Sequence, residues 1–246
     1  MKTPEIVSYD GPEAAKMETA ADIIFCIDAT GSMGPCIESI KNGVDKFALS
    51  LKTKAEVDFR LRLIAYRDLH DPSAKADPPW LFTDFTPSAD EFRRQLAGVK
   101  ATGGGDYRGA ESTLDALYHA IHSEWRPPEA KAHKTIVLLT DDNTHLRLHP
   151  TTYRRMDNDI HRVIQDFQTL RHVMLFMVVP DYPAYRTLQH SALAADRSIT
   201  SHFVPPGDER YEGLKGIEWD GLLQMLGETI SQSSLDVLLH DEALGA

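Results

Sequence analysis

Cysteine is nearly missing from this chain: 246 residues hold two, Cys26 and Cys36. Two cysteines make no disulfide framework. Cys26 lies inside an apolar run, where a thiol serves as a small hydrophobe. Positive charge is also short. Lys and Arg number 26 against 37 Asp and Glu, for a formal net charge of −11. That balance lacks the electrostatic footprint of a nucleic-acid binder. It lacks a polybasic patch for anionic lipid as well. No stretch approaches the roughly 18 uninterrupted apolar residues of a membrane span. The N-terminal MKTPEIVSYDGPEAAKMETA is polar and acidic without an apolar centre, which argues against a signal peptide. These absences predict a cytoplasmic protein that engages neither nucleic acid nor membrane. An acidic surface suits cations and basic partners.

What is present alternates in a regular way. Residues 1–20 read as an arm with little to bury, ahead of one domain over 21–246. Ile23 to Ile27 is a short apolar run ending at Asp28, the pattern of a fully buried strand. Ile37, Ile40, Val44, Phe47 and Leu51 then recur at helical spacing. Residues 56–66 alternate with period two. Leu81 to Thr83 begins a short strand, and Ser88 with Glu91 forms a capping box for the next helix. A helix carries Leu114, Leu117, Tyr118 and Ile121. Ile136 to Thr140 is a second buried strand and Val173 to Val179 a third. Helices are expected over 151–170, 183–195 and about 219–239, with a last strand over 201–204. Buried strands between amphipathic helices predict an α/β fold around a mostly parallel sheet.

Ligands of open α/β sheets bind beyond the carboxyl ends of the strands. Three acids fall at such places. Asp28 opens Asp28-x-Thr30-x-Ser32 after the first strand, Asp106 ends a glycine loop, and Asp141 sits at the tip of the central strand. Carboxylates and hydroxyls without sulfur favour a hard cation, Mg2+ first, then Mn2+ or Ca2+. Alternate residues of a tight loop can face one side, so Asp28, Thr30 and Ser32 could wrap one ion. The dipole of the following helix repels that ion, and several oxygens are needed to offset the repulsion. Thr102 rivals Asp106 for the second-loop position; Asp106 is preferred because it lies nearer the following helix. Asp142 is expected to face solvent. His145, His149 and His161 read as scattered or supporting histidines rather than a transition-metal cluster, and Arg67 with Asp68 as a salt-bridged loop anchor. Gly103 to Gly105 lacks a following Gly-Lys-Ser/Thr, which excludes a Walker A loop.

The segment IDATGSM, residues 27–33, resembles the metal-ion-dependent adhesion site of von Willebrand factor A domains. The resemblance runs over roughly residues 21–240. It is closest to the intracellular bacterial and alpha-kinase-associated branch. There, a strand ending Ala65-Tyr66-Arg67-Asp68, a loop Ala101 to Asp106, and a segment with Thr140, Asp141 and His145 follow in this order. The resemblance implies a Rossmann-like, doubly wound fold with one divalent cation at the top of the sheet, held by Asp28, Thr30, Ser32, Asp106 and Asp141. It implies an open coordination position that an acidic side chain of a partner protein fills. The expected function is therefore a metal-dependent protein–protein interaction module, an adaptor or scaffold in a multiprotein assembly, with no catalytic residue. Two features depart from the family pattern. Tyr107-Arg108-Gly109 follow Asp106 where related loops often read x-Pro-Glu, and Asp106 stands where many members have threonine. Three carboxylates around a dication leave about one net negative charge, so the site should hold its cation better and attract a partner carboxylate less. The alternative is a metal-dependent hydrolase of phosphate esters with an ion-activated water and His145 as base. Against it, the sequence pairs no nucleophile with an oriented base.

Overall fold

A computed structural model describes residues 17–71, 79–103, 110–191, 196–205 and 213–245. Strand β1 (Glu18–Asp28) is buried without interruption from Ala21 onward. Such a run forms where helices cover both faces of a parallel sheet. Its alternate side chains feed two separate cores. Ile23, Phe25 and Ile27 point to one face, Ile24 and Cys26 to the other. On the first face lie α1 (Gly34–Ser50), α2 (Ala89–Ala97) and α6 (Trp219–Gly245). On the second lie α3 (Thr113–Ile121), α4 (Ile160–Phe167) and α5 (Pro183–Gln189). Phe25 anchors the first core, with the rings of Phe47 and Phe92 at 5.5 and 5.2 Å between centroids.

The remaining strands are β2 (Glu56–Tyr66), β3 (Trp80–Phe82), β4 (Ala110–Glu111), β5 (His133–Leu139), β6 (Asn143–Thr144), β7 (Val173–Pro180) and β8 (Arg197–Val204). The main sheet runs β3-β2-β1-β5-β7-β8. All its pairings are parallel except the short edge pair β2–β3. The expected doubly wound α/β architecture is therefore the observed one. The chain leaves β1 toward β2 and later returns to β5 on the opposite side. The crevice between the carboxyl ends of β1 and β5 is thus the switch point where such sheets bind ligands. β4 and β6 form a separate two-stranded parallel ladder next to that crevice, too short for periodicity to reveal.

Helix α6 lies against α1 at very close range. A Cβ on Gly227 would meet the Ser50 hydroxyl and sit 2.9 Å from the Phe47 carbonyl oxygen. Glycine is needed there for the approach itself. Several boundaries differ from expectation. β1 starts at Glu18, inside the segment read as an arm. The helix expected over 151–170 is only α4. Asp159 caps it, accepting from the backbone N–H groups of His161 and Arg162. The preceding stretch folds back instead, with Leu148 N donating to Asn158 O at 2.7 Å. Its Asp, Asn and Thr residues compete for backbone partners and favour such loops. The helix expected over 183–195 ends at Gln189, with 192–195 outside the described residues. At α2 only half of the capping box forms. Ser88 Oγ accepts from Glu91 N at 3.2 Å, while Ser88 N donates to Thr86 Oγ1.

At the opposite end of the sheet from the crevice, His133 opens β5 and is buried, with Thr135 Oγ1 at 3.2 Å from its Nδ1. Burial, with His172 and Lys134 nearby, pushes its pKa down from 6.5 to about 3. The unfolded chain binds a proton below pH 6.5 that the folded chain refuses until about pH 3. Stability contributed by this group is therefore lost as pH falls through that window. Between pH 7 and 5 the loss is about 2 kcal/mol. Urea unfolding at both pH values should show that much less acid sensitivity in His133→Leu than in wild type; parallel pH profiles would refute it.

Candidate metal centre

β1 and β5 are in register with Ile27 opposite Leu139. The next residues, Asp28 and Thr140, therefore stand side by side, and Thr140 Oγ1 donates to Asp28 Oδ2 at 2.8 Å. The tight loop after β1 turns back on its own acid. Thr30 donates to Asp28 Oδ1 twice, from N at 2.9 Å and from Oγ1 at 2.7 Å. Thr30 Oγ1 lies 3.5 Å from Ser32 Oγ, which donates to Asp141 Oδ1 at 3.1 Å. Four of the five predicted ligands thus form one continuous string of oxygens. Asp28 and Thr30 are buried, Asp141 is half-buried and Ser32 is exposed, so the string runs from the interior to solvent.

The second loop joins the same centre. Thr102 N donates to Ala29 O and Gly31 N donates to Gly103 O, each at 3.0 Å. Gly103 takes φ +79°, a conformation L side chains resist. Arg67 holds this loop from below, with Nε 3.2 Å from Thr102 O and Nη2 2.5 Å from Lys100 O. Arg67 thus anchors the loop through backbone carbonyls, and Asp68 engages His145 and Ser112, where a salt bridge between the two was expected. Asp106 and the rest of its loop, residues 104–109, lie outside the described residues.

The electrostatics are one-sided. Burial pushes the Asp28 carboxyl up to about 7, against hydrogen bonds from Thr30 and Thr140 that lower it, and the Asp141 charge pushes it further up. Asp141 is raised too, by burial first and by Asp142 next, against the Ser32 hydrogen bond. Among the described residues, no Lys or Arg forms an ion pair with Asp28 or Asp141. Asp142 is half-buried rather than solvent-facing, its Oδ1 accepting from Asn143 N at 2.6 Å. Glu111, at the end of β4, adds a further acid that no spacing rule marked. It is 2% exposed, and its Oε2 is buried without a hydrogen-bond partner among the described residues. Burial pushes its pKa up to about 10, reinforced by the charges of Asp28, Asp68, Asp142 and Asp141. Buried acids gathered at this density call for a cation or for protons.

Of the three histidines, His145 and His149 take supporting places and His161 stands apart. His145 Nε2 lies 2.9 Å from Asp68 Oδ1, and the His70 ring is tilted against that of His145 and meets that of His149 edge-on, with centroids 4.1 and 4.8 Å away. His161 instead opens α4. His70 joins this group only in the fold, which brings the end of β2 beside the segment after β6. A local Asp68-x-His70 spacing was the available signal.

Known proteins share this fold. A curated relative, "Alpha-protein kinase vwkA" of Dictyostelium discoideum, is 31% identical over 116 residues, 47% of this chain. The chain spans only 18% of that relative's length. A solved von Willebrand factor type A structure from Catenulispora acidiphila aligns with a TM-score of 0.51 at 15% identity, covering 87% of this chain and 43% of that one. The pilus adhesin SpaC of Lactobacillus rhamnosus GG aligns with a TM-score of 0.54 at 11% identity, covering 89% of this chain and 32% of the adhesin. At those identities the solved structures speak to the fold alone. The family model for the von Willebrand factor type A domain matches residues 22–204, from the middle of β1 to the end of β8. The chain belongs to the von Willebrand factor type A domain family, whose members are generally protein-interaction modules.

Proposed function

We propose that this domain is a metal-ion-dependent protein-interaction module, an adaptor or scaffold whose partner binds over one divalent cation at the carboxyl edge of the sheet. The observation that carries the reading is Asp28. It is a fully buried carboxylate, tied through Thr30 and Ser32 to Asp141, with no Lys or Arg ion pair among the described residues. The donors present are oxygen only, which fits a hard ion, Mg2+ before Mn2+ or Ca2+. Asp28, Thr30, Ser32 and Asp141 hold the ion, joined by Asp106 or Thr102 from the second loop. Mg2+ demands six oxygens in near-octahedral array. Positions that these side chains leave go to water or to an acidic side chain of the partner. No helix among the described residues is long and apolar enough to cross a membrane, and a cytoplasmic multiprotein assembly is the setting we propose.

The test is affinity capture from the native cell, with Mg2+ and with EDTA, using wild type and Asp141→Ala. The same partner should be retained by wild type in Mg2+ and lost in EDTA and in the variant. A partner retained under every condition would place the contact elsewhere and end this reading.

A further inference from the structure

Beside the oxygen-only centre lies a second, chemically different cluster. Asp68 follows β2, His70 is two residues on, and His145 follows β6. One ligand atom from each lies within 4.8 Å of the others. Asp68 Oδ1 is 2.9 Å from His145 Nε2 and 3.4 Å from His70 Nδ1. Ligands about 2.0–2.1 Å from a tetrahedral ion stand roughly 3.3–3.4 Å from each other, and the two separations from Asp68 Oδ1 lie close to that distance.

The cluster is also built rather than incidental. Asp68 is fully buried and its Oδ1 accepts from His70 N at 3.0 Å and from Ser112 Oγ at 3.2 Å. Ser112 Oγ in turn accepts from Leu69 N at 2.9 Å. His145 N donates to Glu111 O at 3.0 Å, which fixes the backbone that carries the imidazole. The ring of His149 meets His70 edge-on and braces it. Its own Nδ1 is engaged by Thr151 N and Oγ1. Such outer contacts orient metal ligands and set affinity. Burial alone would raise the Asp68 carboxyl, but hydrogen bonds from His145 and from the His70 backbone hold it below its usual value. The ligand is therefore anionic at neutral pH. The His70 side chain is 39% exposed and that of His145 18%, so an ion has an entry path and an open position remains for water.

We propose that Asp68, His70 and His145 form a second metal site, selective for a borderline transition-metal dication, Zn2+ foremost. Two imidazoles and one carboxylate disfavour Mg2+, which keeps to oxygen, and suit Zn2+ with a fourth, open position. Binding takes the place of the contact between His145 Nε2 and Asp68 Oδ1. The site is independent of the Mg2+ reading, since none of its ligands belongs to the Asp28 string.

Co2+ alone, added to the full chain in excess Mg2+, serves as the spectroscopic probe. Wild type and Asp28→Ala should both bind one equivalent with the intense visible absorption of a four-coordinate ion, displaced by Zn2+. His70→Ala and His145→Ala should each bind at least about 100-fold more weakly, and Ser112→Ala about 10–100-fold more weakly. X-ray absorption of the Zn2+-loaded wild type should display scattering from two imidazoles, which needs no variant to fold. Absorption no stronger than aqueous Co2+, a spectrum retained in both histidine variants, or zinc without imidazole scattering would overturn the proposal. Loss of the Co2+ spectrum in Asp28→Ala alone would assign the ion to the oxygen centre and overturn it too.

Discussion

Asp28→Asn is expected to abolish the Mg2+-dependent stabilisation proposed above and to raise the melting temperature of the metal-free protein. Both effects follow from one buried charge. In the metal-free fold the Asp28 carboxylate has no ion pair among the described residues and faces the like charge of Asp141. Asparagine keeps the Oδ1 that accepts from Thr30 N and Oγ1, and its amide N–H can donate to Thr140 Oγ1 in place of the present bond. The substitution thus removes desolvation and repulsion while keeping the hydrogen bonds. It also removes the anion on which a hard cation depends. With Mg2+ at 100 times its Kd, the wild type gains about 2.7 kcal/mol, or roughly 5–10 °C at this chain length. The variant should gain nothing. Differential scanning calorimetry at pH 8, with Mg2+ and with EDTA, reads both effects. An equal Mg2+ shift in the two proteins would remove Asp28 from the metal centre.

The same substitution six positions earlier on the same strand has the opposite sign. Asp22 is as buried as Asp28 but is ringed by arginine. Arg60 donates to it through Nε at 2.8 Å and Nη2 at 2.6 Å, and Arg126 N donates to Oδ2 at 2.7 Å. Arg126 Nη1 is 3.2 Å from Oδ1 and its Nη2 reaches Asp58 at 2.9 Å. Removing one partner of such a buried pair leaves the other's charge half-desolvated and costs about 3–5 kcal/mol. Both arginines keep some solvent contact, which places Asp22→Asn near the lower value. That is a fall of roughly 6–12 °C in melting temperature, independent of Mg2+. Unfolding of Asp22→Asn and Asp28→Asn side by side in EDTA should give shifts of opposite sign. A destabilisation below about 1 kcal/mol at Asp22 would mean the arginine pairs are as weak as exposed ones.

These two acids mark where sequence reading stops. β1 was legible from its unbroken apolar run, because a strand covered on both faces has no polar positions to interrupt it. The string Asp28, Thr30, Ser32 and Asp141 was legible because each residue ends or follows a strand, and parallel strands place their carboxyl ends along one edge. The long helix expected over 151–170 failed because Asp159 and its polar neighbours satisfy backbone groups locally, which periodicity does not register. β4 and β6 have two residues each, below the length at which any period exists.

The α/β class, the main buried strands and the acid-and-hydroxyl loops were thus legible in local pattern alone: a continuous apolar run can bury only as an inner strand, and a tight loop after it must present alternate side chains to one side. Tertiary structure decided which acid on β1 meets arginine and which meets another acid. It also decided that Glu111 would be sealed into the centre and that His70 and His145 would close on Asp68. Those outcomes depend on distances between segments far apart in the chain, and Coulomb and hydrogen-bond energies are set by distance and burial, neither of which a linear spacing encodes.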